Sequence, residues 1–120
     1  GMLKQIKIKK AKLINKNIFQ FKSKKKFDII IAMGVLEFIS NYKNFLKKTT
    51  KLAKKDTLII ILMPNKNLFS FFYYIFHIFN GNLIHLYNVK KITKYLNFLG
   101  WNILENNKIF PLSTLIVAKL

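Results

Sequence analysis

Two uninterrupted apolar runs limit what this chain can fold into. In residues 27–33, FDIIIAM, five apolar residues follow Asp28, and residues 58–63 read LIIILM, without alternating polar positions. A β-branched run of this kind has to be covered on both faces, which is typical of a strand in a parallel sheet flanked by helices. Between the runs, from Ser40 towards Lys55, apolar residues recur at helical spacing. Strand, helix and strand in this order predict a βαβ unit.

The second half of the chain predicts another helix and a closing hairpin. Asn88 is a suitable N-terminal cap and Gly100 a suitable stop, so we expect a helix between them, as we expect Ser40 to cap the first helix. Residues 101–105 and 113–120, with a turn at Asn106-Asn107, predict an antiparallel pair of strands. The whole chain therefore reads as one α/β domain.

The charge would ordinarily indicate an anionic partner, but its restriction to lysine weakens a specific nucleic-acid interpretation. The chain has 22 basic residues, all Lys, and only 4 acidic residues, for a formal net charge of +18. Clustered cations raise affinity for polyanions, but specific base readout and bidentate phosphate contacts favour arginine. With no cysteine and only two histidines, no metal site is predicted.

Membrane insertion is not predicted. No apolar signal segment follows Gly1-Met2, so the cytoplasm is the expected location. Residues 67–89 have the length of a membrane span, but their four Asn, two His and one Gly favour two separate pieces.

Several segments, in this order, resemble the second half of class I S-adenosylmethionine-dependent methyltransferases, in the group labelled type 11 or type 23. FDIIIAMGVLEFI at 27–39 resembles the fourth strand and the turn after it, where that family continues Leu-Glu with His and this chain has Phe38. KLAKKDTLIIILMPNKN at 51–67 resembles the fifth strand and its Pro-Asn. HLYNVKKITKYLNFLGW at 85–101 resembles the run before the sixth strand.

The resemblance covers about residues 12–120 and implies a Rossmann-like fold with S-adenosylmethionine as cofactor. It also implies an incomplete domain. The family's glycine-rich loop and its ribose-binding acidic residue precede the part that is matched here. We therefore expect residues 1–120 to form a partial methyltransferase domain that lacks the N-terminal cofactor-binding half.

Candidate cofactor residues follow from strand ends and from the resemblance. In an open parallel sheet the ligand lies beyond the carboxyl ends of the strands, which predicts Met33, Gly34 and Val35 at the cofactor. The resemblance implies that Asn17 and Ile18 contact adenine, with the carboxamide oxygen of Asn17 as acceptor for the exocyclic amine.

Four residues are candidates for catalysis or for substrate binding. By the resemblance, His85 lies above the cleft and could act as a base, although a lone His between apolar neighbours also suits a structural role. Glu37 either faces the cleft, where it would orient the acceptor or the methionine end of the cofactor, or stabilises the N-terminus of the following helix. Asn65 and Tyr87 are the candidates for holding substrate.

The sequence leaves two alternative interpretations for each of two segments. Residues 3–12 alternate Ile with Lys as on an exposed strand, or form the tail of a helix. The aromatic run LFSFFYYIFHIF at 68–79, which includes His77, is either core packing or a lid that selects an apolar or lipid-like acceptor.

Two functions of different classes remain. The first is methyl transfer from S-adenosylmethionine to a small-molecule acceptor, with the missing half supplied separately or lost. The alternative is a non-catalytic Lys-rich module that binds nucleic acid or an anionic membrane surface. The strand at 27–33 would lack one neighbour, so we expect its edge to be filled by the N-terminal segment, by a second copy in a homodimer, or by a separate N-terminal half.

Overall fold

The structure is a computed structural model that describes residue 14 and residues 16–64, 68–81, 85–109 and 113–120, with only the backbone of residues 68–71 and 73. The segment 3–12 and Asn65 lie outside the described residues. In chain order the elements are β1 (Phe27–Met33), a 3-10 turn (Leu36–Phe38), α1 (Tyr42–Lys51), β2 (Ala53–Pro64), α2 (Leu68–Phe79), α3 (Val89–Phe98), β3 (Asn102–Ile109) and β4 (Ser113–Lys119).

The four strands form one mixed sheet in the order β1-β2-β4-β3. β1 runs parallel to β2, with Ile29 beside Leu58 and Met33 beside Leu62. β4 pairs antiparallel with β2 on one side and with β3 on the other. The predicted βαβ unit and the antiparallel closing pair are confirmed.

The helices α1 and α3 cover one face of the sheet and enclose the core. Trp101 is buried there, and its indole N–H donates to the hydroxyl of Thr50 at 2.9 Å, which joins the start of β3 to the end of α1. Each fully buried aliphatic side chain contributes about 1.5–3 kcal/mol. The buried apolar residues include Ala32, Leu36, Phe45, Leu46, Ile59, Ile61, Met63, Ile92, Leu96, Ile116 and Ala118.

The opposite face of the sheet is largely open in the described part of the chain. On β1 the side chains of Ile29, Ile31 and Met33 are 55%, 61% and 58% exposed. Among the described residues, β1 is thus the edge strand of the sheet and has one face uncovered, whereas the apolar run predicted cover on both faces. An apolar run indicates that a face of the strand needs burial, but it does not identify the segment that covers this face.

The predicted ends of α3 are confirmed, whereas the N-cap of α1 is not the predicted residue. Asn41, and not Ser40, caps α1, because its side chain accepts the N–H of Asn44 at 3.2 Å. Asn88 caps α3 as predicted, and Gly100 follows the end of α3 with φ of 101°. Both Ser and Asn are good caps, so residue type alone could not place the start of α1.

β2 begins at Ala53, well before the predicted start of the strand. Asp56 has a left-handed φ of 71°, and the register between β1 and β2 shifts at this point. The Thr57 hydroxyl donates to the Phe27 carbonyl at 2.6 Å and accepts the N–H of Lys54 at 2.9 Å. These hydrogen bonds hold the irregular start of β2 against β1.

The predicted turn at Asn106-Asn107 is wrong. Both residues lie within β3, where they pair with Ile116 and Leu115 of β4. Asn is common in turns, but pairing with a strongly β-forming neighbour strand overrides that local preference.

The aromatic run forms α2, and its described phenylalanines are not core residues. Phe72, Phe76 and Phe79 are spaced as neighbours on one helix face and are 62%, 63% and 85% exposed. His77 is half-buried, and its ring packs edge-to-face with the ring of Phe38 at 6.1 Å between centroids. Within the described residues, no helix has both the length and the hydropathy to cross a bilayer.

The segment that precedes α3 is attached to the 3-10 turn by two hydrogen bonds. The backbone N–H of His85 donates to the Glu37 carbonyl at 2.6 Å, and the Tyr87 hydroxyl donates to the Ile39 carbonyl. The rings of Tyr87 and Tyr42 form an edge-to-face pair with their centroids 5.0 Å apart. Burial, with the neighbouring Tyr42 hydroxyl, raises the pKa of Tyr87.

We expect Tyr87→Phe to lower the free energy of unfolding by about 0.5–1.5 kcal/mol at neutral pH, because the Ile39 carbonyl loses its donor. The raised pKa means that the Tyr87 contribution is complete below the unfolded pKa of about 10 and is lost as the pH rises above it. Urea unfolding at neutral pH and slightly above pH 10 measures both effects. Tyr74→Phe is the control, and equal alkaline losses in Tyr87→Phe and wild type would contradict the assignment.

Candidate functional site

A cavity of about 650 Å³ opens beyond the carboxyl end of β1. Three stretches build its wall: the loop before β1, the turn after β1 and the start of α1. Four of the five predicted cofactor residues line it, namely Asn17, Ile18, Gly34 and Val35. The full lining in the described chain is Asn17, Ile18, Phe19, Gly34, Val35, Phe38, Ile39, Ser40, Asn41 and Asn44.

The loop before β1 is held by Asn17. Its carboxamide oxygen accepts the N–H of Phe19 at 2.9 Å, and its carbonyl accepts the N–H groups of Gln20 and Phe21 at 2.9 and 3.1 Å. A carboxamide oxygen has two lone pairs and its NH₂ group has two donors. Asn17 therefore keeps both acceptor and donor capacity for a ligand while it shapes the loop.

The turn after β1 depends on Gly34. Its N–H donates to the Leu62 carbonyl at 3.2 Å, which extends the pairing of β1 with β2, and its φ is 65°. A Cβ at this position would lie 3.7 Å from Oε1 of Glu37, an ordinary contact distance. The left-handed φ, and not lack of space, is thus what favours glycine here.

Glu37 lies behind this turn and is only 5% exposed. It belongs to the 3-10 turn, whereas the first turn of α1 contains no acidic residue. Its carbonyl accepts the N–H of His85, so the backbone of Glu37 supports the segment that carries two other candidate residues. The carboxylate is close to Gly34 but is not among the described groups that line the cavity.

His85 and Tyr87 lie together beside the 3-10 turn. Their rings stack at 6.0 Å between centroids with an angle of 17°, and both side chains are half-buried. The structure thus brings His85, Tyr87 and Glu37 to one place. Met33 lies apart from them, because its exposed side chain belongs to the sheet face opposite the helices.

Sequence reasoning missed Asn41 and Asn44, which also line the cavity. The available signal was the helix start that follows a parallel strand, since capping residues there face the ligand edge of an open sheet. Together with Asn17 they give the cavity amide groups and no charged side chain among its described lining. Within the described residues no group of three His, Asp or Glu could hold a metal ion.

This lining suits a planar, uncharged heterocycle. Amide groups provide donors and acceptors for ring nitrogen atoms and exocyclic groups, while Ile18 and Val35 offer apolar contact. Gly34 allows a ligand to approach the backbone closely because it has no side chain. These features make the cavity the candidate site for binding and orienting a ligand.

The fold is shared with solved methyltransferases. The magnesium protoporphyrin IX methyltransferase of Synechocystis PCC 6803 with bound SAH matches with a TM-score of 0.66 and 20% identity, over 87% of this chain and 48% of that chain. Human N-acetylserotonin methyltransferase in complex with SAM matches with a TM-score of 0.69 and 13% identity, over 87% of this chain and 32% of that chain. These likenesses confirm the predicted Rossmann-like fold. The chain spans about half the length, or less, of these structures.

Sequence comparison identifies the family. Fifty residues, 42% of this chain, are 40% identical to a segment that makes up 21% of the ubiquinone biosynthesis O-methyltransferase of Pelagibacter ubique (strain HTCC1062). The profile of the type 23 family, described as a methyltransferase domain, matches residues 3–106. Since that match extends over most of the sequence, the chain belongs to the type 23 methyltransferase domain family.

Proposed function

We propose that this chain forms the carboxyl-terminal half of an S-adenosylmethionine-dependent methyltransferase that acts on a small-molecule acceptor. One observation carries the proposal: Asn17, Ile18, Gly34 and Val35, assigned to the cofactor from sequence, line a single cavity in a chain of this family. Fold neighbours that contain SAM or SAH support the choice of cofactor. The family match favours this function over a non-catalytic basic module.

The cavity fits the adenosine part of S-adenosylmethionine. Its volume of about 650 Å³ is within the usual range for small-ligand pockets. Asn17 would meet the adenine edge, and Ile18 and Val35 would contact its faces. When bound, the cofactor supplies an electrophilic methyl group, and the residues of this chain hold and orient the donor for transfer.

The ribose hydroxyls need a partner that the described lining does not offer, since no carboxylate is among those residues. We assign that partner, with the glycine-rich loop, to a further N-terminal half of the domain, in the same polypeptide or in another one. The open face of β1 supports this assignment. Ile29, Ile31 and Met33 form an apolar surface without charge that such a half would cover.

His85 is the proposed proton acceptor where the methyl acceptor has to lose a proton. Its stacking on Tyr87 and its backbone bond to Glu37 hold it beside the cavity turn. Glu37 acts in this proposal as a positioning residue, because its buried carboxylate lies behind Gly34. Tyr87 and Asn65 remain the proposed substrate residues.

The exposed phenylalanines of α2 support an acceptor with an apolar part. α2 follows the carboxyl end of β2, and Phe76 and Phe79 present an aromatic face that lacks charge. A helix in this position is suited to act as a lid over the ligand edge of the sheet.

The isolated chain should bind SAH weakly, with a Kd on the order of millimolar, because part of the cofactor site is missing. In an NMR titration of the labelled chain, the amide signals of Asn17, Ile18, Gly34 and Val35 should shift. Asn17→Ala should reduce the response, and Asn107→Ala on β3 is the matched control. Micromolar binding would show that the described lining is sufficient, and shifts that avoid the cavity would contradict the site.

The isolated chain should also self-associate through the uncovered face of β1. Ile29→Thr with Ile31→Thr keeps strand propensity but removes apolar area, so we expect the dimer to weaken about tenfold or more. Light scattering over a concentration series measures this, with Leu104→Thr and Ile109→Thr on β3 as controls of similar exposure. A wild-type monomer with fast hydrogen exchange in β1 would contradict the role of this face.

In the complete domain, His85→Gln should lower turnover by roughly 10²–10⁴-fold if the acceptor is deprotonated during transfer. His77→Gln is the matched control, as His77 is the other histidine of the chain. Turnover and SAH binding should be measured together, because a base affects turnover while cofactor binding is retained. Turnover of His85→Gln equal to that of the wild type would exclude His85 as the base.

A further inference from the structure

A second cavity, of about 510 Å³, opens between α1 and α3 on the side of these helices that faces away from the sheet. The methyl transfer proposed above does not use it. Its lining combines lysines with aromatic rings and consists of Tyr42, Lys43, Lys91, Lys94, Tyr95 and Phe98. We call it the α1–α3 groove.

The groove is positively charged without compensation in the described structure. α1 and α3 together contain seven lysines and no acidic residue. The ion pairs among the described residues involve Asp28 and Asp56, which pair with Lys54 and Lys119. Three lysines line this concave site, and clustered cations attract a polyanion.

The aromatic rings of the groove form a stack with an open end. Phe98 is 77% exposed, and its ring stacks on Tyr95 at 5.6 Å between centroids with an angle of 22°. Tyr95 in turn contacts the ring of Tyr42 edge-to-face, at 6.1 Å between centroids, and the Lys43 ammonium lies 5.5 Å from its ring centre. A planar group can therefore extend the stack on Phe98.

We propose that the α1–α3 groove binds single-stranded nucleic acid. One base stacks on Phe98, and the neighbouring phosphates contact Lys43, Lys91 and Lys94. Stacking platforms beside a cationic groove are how proteins hold single strands. Lysine provides point charges and no bidentate readout, so the binding is independent of base sequence.

Other anionic partners fit the groove less well. A duplex hides the faces of its bases, so it would use the lysines but not Phe98. A membrane surface requires a broad apolar face in addition to charge, whereas this groove presents one strongly exposed apolar ring. The exposed stacking face thus favours a single strand.

Fluorescence anisotropy of a short labelled oligothymidylate, titrated with the full chain, tests the proposal. Phe98→Ala should weaken binding about tenfold, and Phe98→Leu, which keeps the apolar bulk but cannot stack, should do nearly the same, while Phe98→Tyr retains it. Phe79→Ala, at a site 85% exposed, is the control and should bind as wild type. Circular dichroism confirms that each variant is folded.

The charged part is tested with a matched pair of triple variants. The first triple variant combines Lys43→Gln, Lys91→Gln and Lys94→Gln. The slope of log Kobs against log salt concentration should become less steep by about 0.7 for each phosphate contact that is lost. Lys22→Gln, Lys24→Gln and Lys25→Gln remove the same charge from the loop before β1 and should have a much smaller effect. If the two triple variants change oligonucleotide binding equally, or if Phe98→Leu does not weaken it, the assignment of the groove to nucleic acid is overturned.

Two competition experiments separate the other partners. An unlabelled duplex of the same length and vesicles of phosphatidylserine with phosphatidylcholine are each added to the complex with the oligonucleotide. We expect the unlabelled single strand to compete best. Equal competition by the duplex would show general attraction to charge, and stronger binding of vesicles that depends on Phe98 would assign the groove to membranes; either result would overturn the proposal.

Discussion

The parallel pairing of β1 with β2 is the interaction on which the rest of the structure depends. It sets Ile29 beside Leu58 and Met33 beside Leu62, and the N–H of Gly34 adds one more bond to Leu62 beyond the strand. That bond holds the turn whose residues line the cavity. At the other end, the Thr57 hydroxyl joins β2 to Phe27 where the register shifts. The position of the candidate site is thus a consequence of strand pairing.

The two sides of the sheet meet different requirements. On one side α1 and α3 bury Leu46 and Ile92 and turn their lysines to solvent, which creates the cationic groove. On the other side β1 presents Ile29 and Ile31 without a described cover. An apolar face favours further polypeptide, and a charged aromatic groove favours a polyanion. Completion of the domain and binding of nucleic acid would therefore use separate surfaces.

Much of the candidate site could be predicted from the sequence because its residues follow a general rule. Ligands lie beyond the carboxyl ends of parallel strands, and Gly34 and Val35 come directly after such a strand. Met33 failed to join them in the cavity because side chains alternate along a strand, which puts Met33 on the open face. The cap of α1 was placed one residue early because Ser40 and Asn41 are both good caps, and only the path of the chain selects between them.

Local sequence by itself determined the apolar strands, the α3 cap at Asn88 and the stop at Gly100, since these depend on side-chain type and on backbone freedom at single positions. Tertiary structure decided the features that depend on distant partners. The early start of β2 rests on Thr57 reaching Phe27, and Asn106 is in a strand because Ile116 lies beside it. The meeting of His85 with Glu37 was likewise decided by folding, because hydrogen bonds between remote segments have no signature in local sequence.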